Sequence, residues 1–332
     1  MPHKSDDPKS LDTKIRHNDW RDDLFKHGYV VVKGVIGPTK AQQYMESMFA
    51  WLEKFPLGFD RNNRSTWTVD HLPAHMRGGM YHGYSVQHED FVWEARMEPG
   101  VVDAFAKLWG TDELLVSFDG INFTLPGRDR QPTTPWPHID QSPRRKGLVC
   151  AQGIINFAPN GPDDGGLVVV RNSHNLTEQF FNEHPEVVGR KTWGPEDWFG
   201  FEEQEVQWFL GKGCDIVKVC ADPGDLIIWD SRTIHYNAMP TTDQVRSIVY
   251  ACYAPANWAT EEDLTLKTQC FQQRRGTTHL PSMNVYSPDP DNLRLGVPDP
   301  YARDTPFSNV KETEPILRMA GVLPYQRSKS KP

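Results

Sequence analysis

Apolar and polar positions change rhythm twice along this chain. After a charged stretch to residue 27, with a short helical pattern over 20–25, the run GYVVVKGVI (28–36) is dense in β-branched residues and stops at Gly37-Pro38. That composition predicts a strand followed by a turn. From 39 to about 55, Tyr44, Met45, Met48, Trp51, Leu52 and Phe55 keep the i, i+3/i+4, i+7 spacing of one buried helical face. Residues 56–90 are loop-like and rich in Gly, His and Arg, and 99–109 predicts a second short helix.

From Glu113 the texture turns to β. LLVSFDGINFTLP, GLVCAQGIINFAP, GGLVVVRNSH, DIVKVCADPGDLIIWD and RSIVYACYAP are short β-branched and aromatic runs punctuated by Gly, Pro and Asp. Strands at this spacing, without helical patterns between them, predict an antiparallel sandwich or barrel. Residues 175–222 interrupt the series with Phe180, Phe181, Trp193, Trp198, Phe199, Phe201, Trp208 and Phe209. Such a segment reads equally as a lid over the barrel mouth or as an excursion packed on the barrel wall. Residues 261–332 are Pro-rich and expected to be largely irregular, apart from a helical turn or two over 314–320. No repeat and no linker divides the chain. The expectation is one domain over 1–332, with a β core at about 111–255, the 175–222 insertion and a C-terminal extension from 261.

Composition narrows the function classes. With 332 residues, 38% of them apolar and 24% charged, the chain has the profile of an ordinary globular protein. A net charge of −8 argues against nucleic acid or an anionic membrane as the main partner. No apolar run approaches a bilayer span, and residues 1–20 are too polar for a secretory signal. The five cysteines form no CxxC pair, which fits free thiols in a reducing compartment. The C-terminal SKSKP does not end in the peroxisomal address. A cytoplasmic protein acting on a small molecule is the default expectation, with the oligomeric state left open.

The segment PWPHIDQSP (135–143) brings chemistry into the picture. On an extended strand His138 and Asp140 point to the same side, so an imidazole nitrogen and a carboxylate oxygen aim at one point. Two other His-x-Asp triplets exist, His17-Asn18-Asp19 and His88-Glu89-Asp90. The first lies in a charged surface segment. In the second, Glu89 and Asp90 read as first-turn acids of a helix. His138-Ile139-Asp140 differs because it enters the β core directly, and because WDSRTIHYN supplies His235 after a strong strand, with Arg246 opening the next. Two His and one Asp with open coordination positions are the donor set of a non-haem Fe(II) oxygenase. A planar guanidinium that stays charged when buried suits a carboxylate clamp.

On these residues the chain resembles the phytanoyl-CoA dioxygenase family of Fe(II)/2-oxoglutarate-dependent oxygenases. The similarity runs from about Gly28 to Pro255, through GYVVVKGVIGPTKAQQYMES, HID, DGGLVVVRNSH, PGDLIIWDS, His235 and Arg246. It implies a mainly β fold with helical additions and a double-stranded β-helix (jelly-roll, cupin-like) core. It implies His138, Asp140 and His235 as iron ligands and Arg246 as the clamp on the distal carboxylate of 2-oxoglutarate. Asn122 matches an asparagine that contacts the cosubstrate in ectoine-hydroxylase-like members. Asn237 stands where a hydroxyl residue often assists the clamp, and Trp229 is assigned to core packing beside the cosubstrate. Related halogenases lack the carboxylate ligand, so Asp140 favours hydroxylation, desaturation or another oxidation. The expected reaction consumes O₂ and 2-oxoglutarate, releases succinate and CO₂, and oxidises, most simply hydroxylates, a C–H bond of a small organic metabolite.

Two departures stand out. Arg171-Asn172-Ser173-His174 replaces the family's Pro-Gly-Ser-His turn, and the aromatic insertion is not a general family feature. No basic cluster suits a CoA phosphate. His82, Tyr84, Gln87 and His88 are candidate polar groups of the pocket, whereas Trp93 and Arg96 read as helix packing and a salt bridge. Two competing readings are a catalytically silent binding protein of the same fold and a zinc hydrolase using the same three ligands. The complete set with Arg246 counts against the first, and the clamp itself counts against the second.

Overall fold

Two antiparallel sheets face each other in the computed structural model, which describes residues 11–126, 134–190, 197–289 and 293–325. Trp193 and the SKSKP tail lie outside the described residues. In chain order, strands β1 (Tyr29–Val32), β2 (Met80–Tyr81), β3 (Leu114–Val116) and β4 (Ile121–Thr124) precede β5 (His138–Ile139), β6 (Ala151–Asn156) and β7 (Gly166–Arg171). They are followed by β8 (Phe199–Gly200), β9 (Asp215–Lys218), β10 (Leu226–Asp230), β11 (His235–Ala238), β12 (Arg246–Tyr250) and β13 (Tyr253–Pro255). The larger sheet has the order β1-β10-β6-β12-β4-β2 and the smaller β8-β5-β11-β7-β9, while β3 and β13 form a separate pair. Neighbours that are distant in sequence and antiparallel throughout make this the jelly-roll form of the double-stranded β-helix.

The period of two along each strand sorts its residues between layers. Ile154, Val169, Ile227 and Ile248 pack together between the sheets. Their chain neighbours Ile155, Ile228 and Val249 join a second cluster on the outer side of the larger sheet. Both faces are therefore covered, and these strands read as nearly continuous apolar runs.

The outer cover of the larger sheet comes from helices α1 (Trp20–His27), α2 (Pro38–Glu53), α3 (Asp90–Arg96) and α4 (Pro99–Trp109). Proline stands at the start of α2, where its missing N–H is no loss, and the helix buries Ala41, Tyr44, Met48, Trp51 and Leu52. Asp19 of the first surface triplet caps α1, its side chain accepting from the Arg21 N–H. Asn172 carries φ of 70°, and asparagine tolerates this left-handed conformation where the family motif has glycine. The turn survives the substitution.

The 175–222 segment proves to be part of the wall. Its strands β8 and β9 are the two edges of the smaller sheet. Helices α5 (Thr177–Glu183) and α6 (Pro185–Val188) before β8, and α7 (Glu203–Gly211) between β8 and β9, pack on this sheet. Phe180, Phe181, Phe199, Phe201 and Phe209 cluster there with Val170 and Ile139 of the sheet.

The C-terminal region is more regular than its composition suggests. Helix α8 (Glu261–Gln272) occupies a stretch expected to be irregular, started by a reciprocal capping box between Thr260 and Asp263. Helix α9 (Glu314–Met319) follows the sequence expectation. Among the described residues no helix is long and apolar enough to cross a membrane.

Candidate metal centre and pocket

Strand β5 is two residues long, and its register sets His138 directly opposite His235 at the head of β11. Asp140 follows where the strand gives way, with its N–H donating to Ser231 O at 2.9 Å. Asp140 Oδ2 lies 3.2 Å from His235 Nε2 and 3.7 Å from His138 Nε2. One donor atom from each residue falls within 4.8 Å of the others, a spacing that suits a single metal ion.

Each imidazole is oriented by its other nitrogen. Nδ1–H of His138 donates to Trp136 O, and Nδ1–H of His235 donates to Thr233 O, both at 2.9 Å. With the proton held on Nδ1, the Nε2 lone pair of each ring is free for a metal. Burial, reinforced by the neighbouring His235, pushes the His138 pKa down to about 3 and keeps this ring neutral. Burial opposes ionisation of Asp140, but the surrounding imidazoles of His138, His279 and His235 outweigh it and hold the carboxyl well below its ordinary range. Gln152 Nε2 donates to the same Asp140 Oδ2 at 2.8 Å.

Arg246 is buried on the inner face of the larger sheet, where β12 pairs with β4. Gly166, with φ of 94°, makes room for it: a β-carbon there would lie 3.0 Å from Arg246 Nε. Arg246 Nη1, Asn122 Nδ2, Trp229 Nε1 and Asn237 Oδ1 are all buried without a hydrogen-bond partner. Native interiors leave few such groups unsatisfied. Three orphaned donors, one on a guanidinium, suit a ligand with several anionic oxygens, and the residues present fit 2-oxoglutarate. Asn122 is tied at Oδ1 by Thr124 Oγ1 at 2.8 Å, which leaves only its amide nitrogen free. Trp229 stands edge-on to the His235 ring at 5.3 Å.

His138, Asp140, His235 and Arg246 line one cavity of about 940 Å³. His82, Tyr84 and Gln87 line it as the sequence suggested, but His88 does not. His88 is fully buried beside Trp93, Phe118 and Phe271, and its Nε2–H donates to Arg275 O at 2.8 Å. Among the described residues Arg96 forms no salt bridge. It donates to the carbonyls of Gln87 and Asp119, because a buried guanidinium can be satisfied by backbone oxygens as well as by a carboxylate. Of the insertion's described aromatics, Trp198 alone lines the cavity.

Sequence reasoning missed Trp136, Gln152, Arg77 and His279. Trp136 stacks on His138 with ring centroids 4.0 Å apart and planes at 11°. His279 lies in the C-terminal extension, and its Nε2–H donates to Asp140 O at 3.0 Å. That extension also contributes Arg274, Arg275, Thr277 and Arg303 to the cavity wall. Trp136 stood in the quoted PWPHID motif and was findable; the others carry no local signal.

Comparison with known proteins agrees with this geometry. The profile of the phytanoyl-CoA dioxygenase (PhyH) family matches residues 24–248. The chain is 46% identical over 273 residues to Ava biosynthesis cluster protein O of Aspergillus versicolor, covering 81% of this chain and 87% of that protein. Among solved structures, GlcNAc Inducible Gene 2 of Candida albicans aligns over 97% of this chain and 79% of its own, with a TM-score of 0.62 at 13% identity. The epimerase SnoN, solved with Fe3+ and alpha ketoglutarate, aligns over 70% of this chain and 81% of its own, with a TM-score of 0.49 at 18% identity. The protein belongs to the phytanoyl-CoA dioxygenase family and has the oxygenase jelly roll of that family.

Proposed function

We propose that the protein is an Fe(II)- and 2-oxoglutarate-dependent dioxygenase that hydroxylates a C–H bond of a small organic metabolite. The observation that carries this reading is the convergence of His138, Asp140 and His235 in one cavity with Arg246, whose Nη1 is buried and unpartnered. Two imidazoles and one carboxylate that leave coordination positions open suit Fe(II). Iron and 2-oxoglutarate, when bound, supply the oxidising chemistry, with succinate and CO₂ as the coproducts.

The chain's own residues bind, orient and exclude water. His138 and His235 turn Nε2 towards the site because both Nδ1–H groups are engaged by carbonyls. Gln152 holds Asp140 in place through Oδ2. Arg246, seated against Gly166, offers a fork to the distal carboxylate of the cosubstrate, with Asn122, Asn237 and Trp229 beside it. The apolar walls keep reactive chemistry away from bulk water.

The test is an anaerobic titration of the apoprotein with Fe(II) and then 2-oxoglutarate, following the visible metal-to-ligand charge-transfer band. The band is expected in the wild type, absent in His138→Ala, and shifted to far higher cosubstrate concentration in Arg246→Ala. A folded wild type without the band sinks the proposal.

A further inference from the structure

One cavity arginine lies outside the metal centre and the cosubstrate clamp. Met76 and Met80 exchange backbone hydrogen bonds of 2.9 and 2.8 Å, and Arg77 leads Gly78-Gly79 around the tip between them. Arg77 has φ of 46°. That left-handed conformation is strained for a residue with a β-carbon, and glycine would adopt it freely. The turn therefore carries strain in order to present this side chain.

The guanidinium lies 3.5 Å above the ring of Trp136, which in turn stacks on His138. A single indole thus separates the cation from a metal-ligand candidate. At that distance the indole covers one side of a planar guanidinium whose N–H groups suit bidentate contact. Among the described residues no carboxylate and no hydrogen-bond acceptor engages Arg77. Desolvation lowers its pKa with no opposing charge to compensate. The side chain is exposed at the cavity wall, where an anionic ligand can reach it from solvent.

Of the other arginines of the cavity wall, which include Arg275, two are engaged by their own surroundings. Arg274 pairs with Glu312 at 2.7 Å, and Arg303 donates to the carbonyls of Thr305 and Pro306. Arg246 sits against Gly166 on the cosubstrate side. Asp119, an acid in the cavity wall, is engaged by His82 at 3.4 Å. Apolar side chains of the same cavity include Trp136, Ile154, Leu167 and Trp229.

We propose that Arg77, placed over Trp136, determines specificity by binding a carboxylate of the substrate, so that the enzyme oxidises an organic acid with an apolar body. The acid group anchors at the hairpin tip, and the apolar part extends past Trp136 towards the metal ligands. This inference rests on the oxygenase reading above.

The test uses the anaerobic holoprotein with Fe(II) and saturating 2-oxoglutarate, so that Arg246 is already occupied. Phenylpropionate and phenylpropionamide serve as probes, with binding followed by tryptophan fluorescence. In wild type the acid is expected to bind about tenfold or more tightly than the amide, as a charge-assisted bidentate contact would give. Arg77→Gln removes the preference, Arg77→Lys restores part of it, and the charge-transfer titration with 2-oxoglutarate is unchanged in both. Equal binding of the two probes, binding of neither, or a preference that survives Arg77→Gln overturns the proposal. A wild type that shows the Arg77-dependent preference without any charge-transfer band sinks the oxygenase reading and leaves the carboxylate site standing.

Discussion

Gln152 and Asp140 are joined by a 2.8 Å hydrogen bond to Oδ2, the same oxygen that approaches both metal-site imidazoles. The amide lies on β6 of the larger sheet and the carboxylate just past β5 of the smaller, so the bond ties one sheet to the other at the metal centre. Gln152→Leu keeps the volume and removes the donor. Metal affinity is expected to fall about tenfold or more, the usual cost of losing a group that orients a ligand. Fe(II) or Co(II) titration measures it, and unchanged affinity would show that the bond does not orient Asp140.

Gly166→Ala should separate the clamp from the metal site. The added β-carbon would meet Arg246 Nε at 3.0 Å and force a residue with φ of 94° out of its preferred backbone region. Stability should drop by about 1–2 kcal/mol. The affinity for 2-oxoglutarate should fall while the metal titration stays as in wild type. A parallel loss of metal binding would mean that the substitution disturbs the whole site.

Phe209 tests what the aromatic segment is for. It is fully buried among Phe180, Phe201 and Trp208, outside the cavity. Phe209→Ala is expected to destabilise the protein by about 3–5 kcal/mol, through lost burial and the void left behind. Thermal unfolding reads this, and the charge-transfer band should persist in the folded fraction. Near-wild-type stability with impaired cosubstrate turnover would instead point to a lid.

Lys267 links stability to pH. It is fully buried, with Nζ donating to Val116 O at 2.7 Å, and burial pulls its pKa from the ordinary lysine value of 10.5 down to about 7. Between those two values the unfolded chain holds a proton on Lys267 that the folded protein has lost. Stability therefore rises with pH across that window, by at most about 1.4 kcal/mol per unit from this group. Below about 7 both states are protonated, and the full penalty of the buried cation applies. Denaturant midpoints at a series of pH values should show the slope, and Lys267→Met should flatten it. A slope unchanged in the variant would assign the effect elsewhere.

Much of this protein was legible in its sequence, for local reasons. Helix α2 followed from its apolar spacing, α4 lies over the 99–109 stretch where a helix was expected, and the barrel strands followed from β-branched runs between Gly, Pro and Asp turns. His138 and Asp140 share one short motif, and His235 and Arg246 each stand at the head of a strand. Even α8 carried its signal, the Thr260–Asp263 capping box, under a Pro-rich composition that obscured it.

Tertiary structure decided the rest. No spacing rule brings Arg77 over Trp136 or His279 to the Asp140 carbonyl, because those pairs are separated by long stretches of chain and meet only when the sheets close. His88 and His138 both occur in His-x-Asp triplets, yet one is sealed among aromatics and the other lines the cavity. The same side chain becomes a core group or a metal-ligand candidate according to which layer its strand or turn faces. Local sequence specifies the elements and the ligand motif; the packing of distant segments determines which polar groups line the cavity and which lose their freedom to bind.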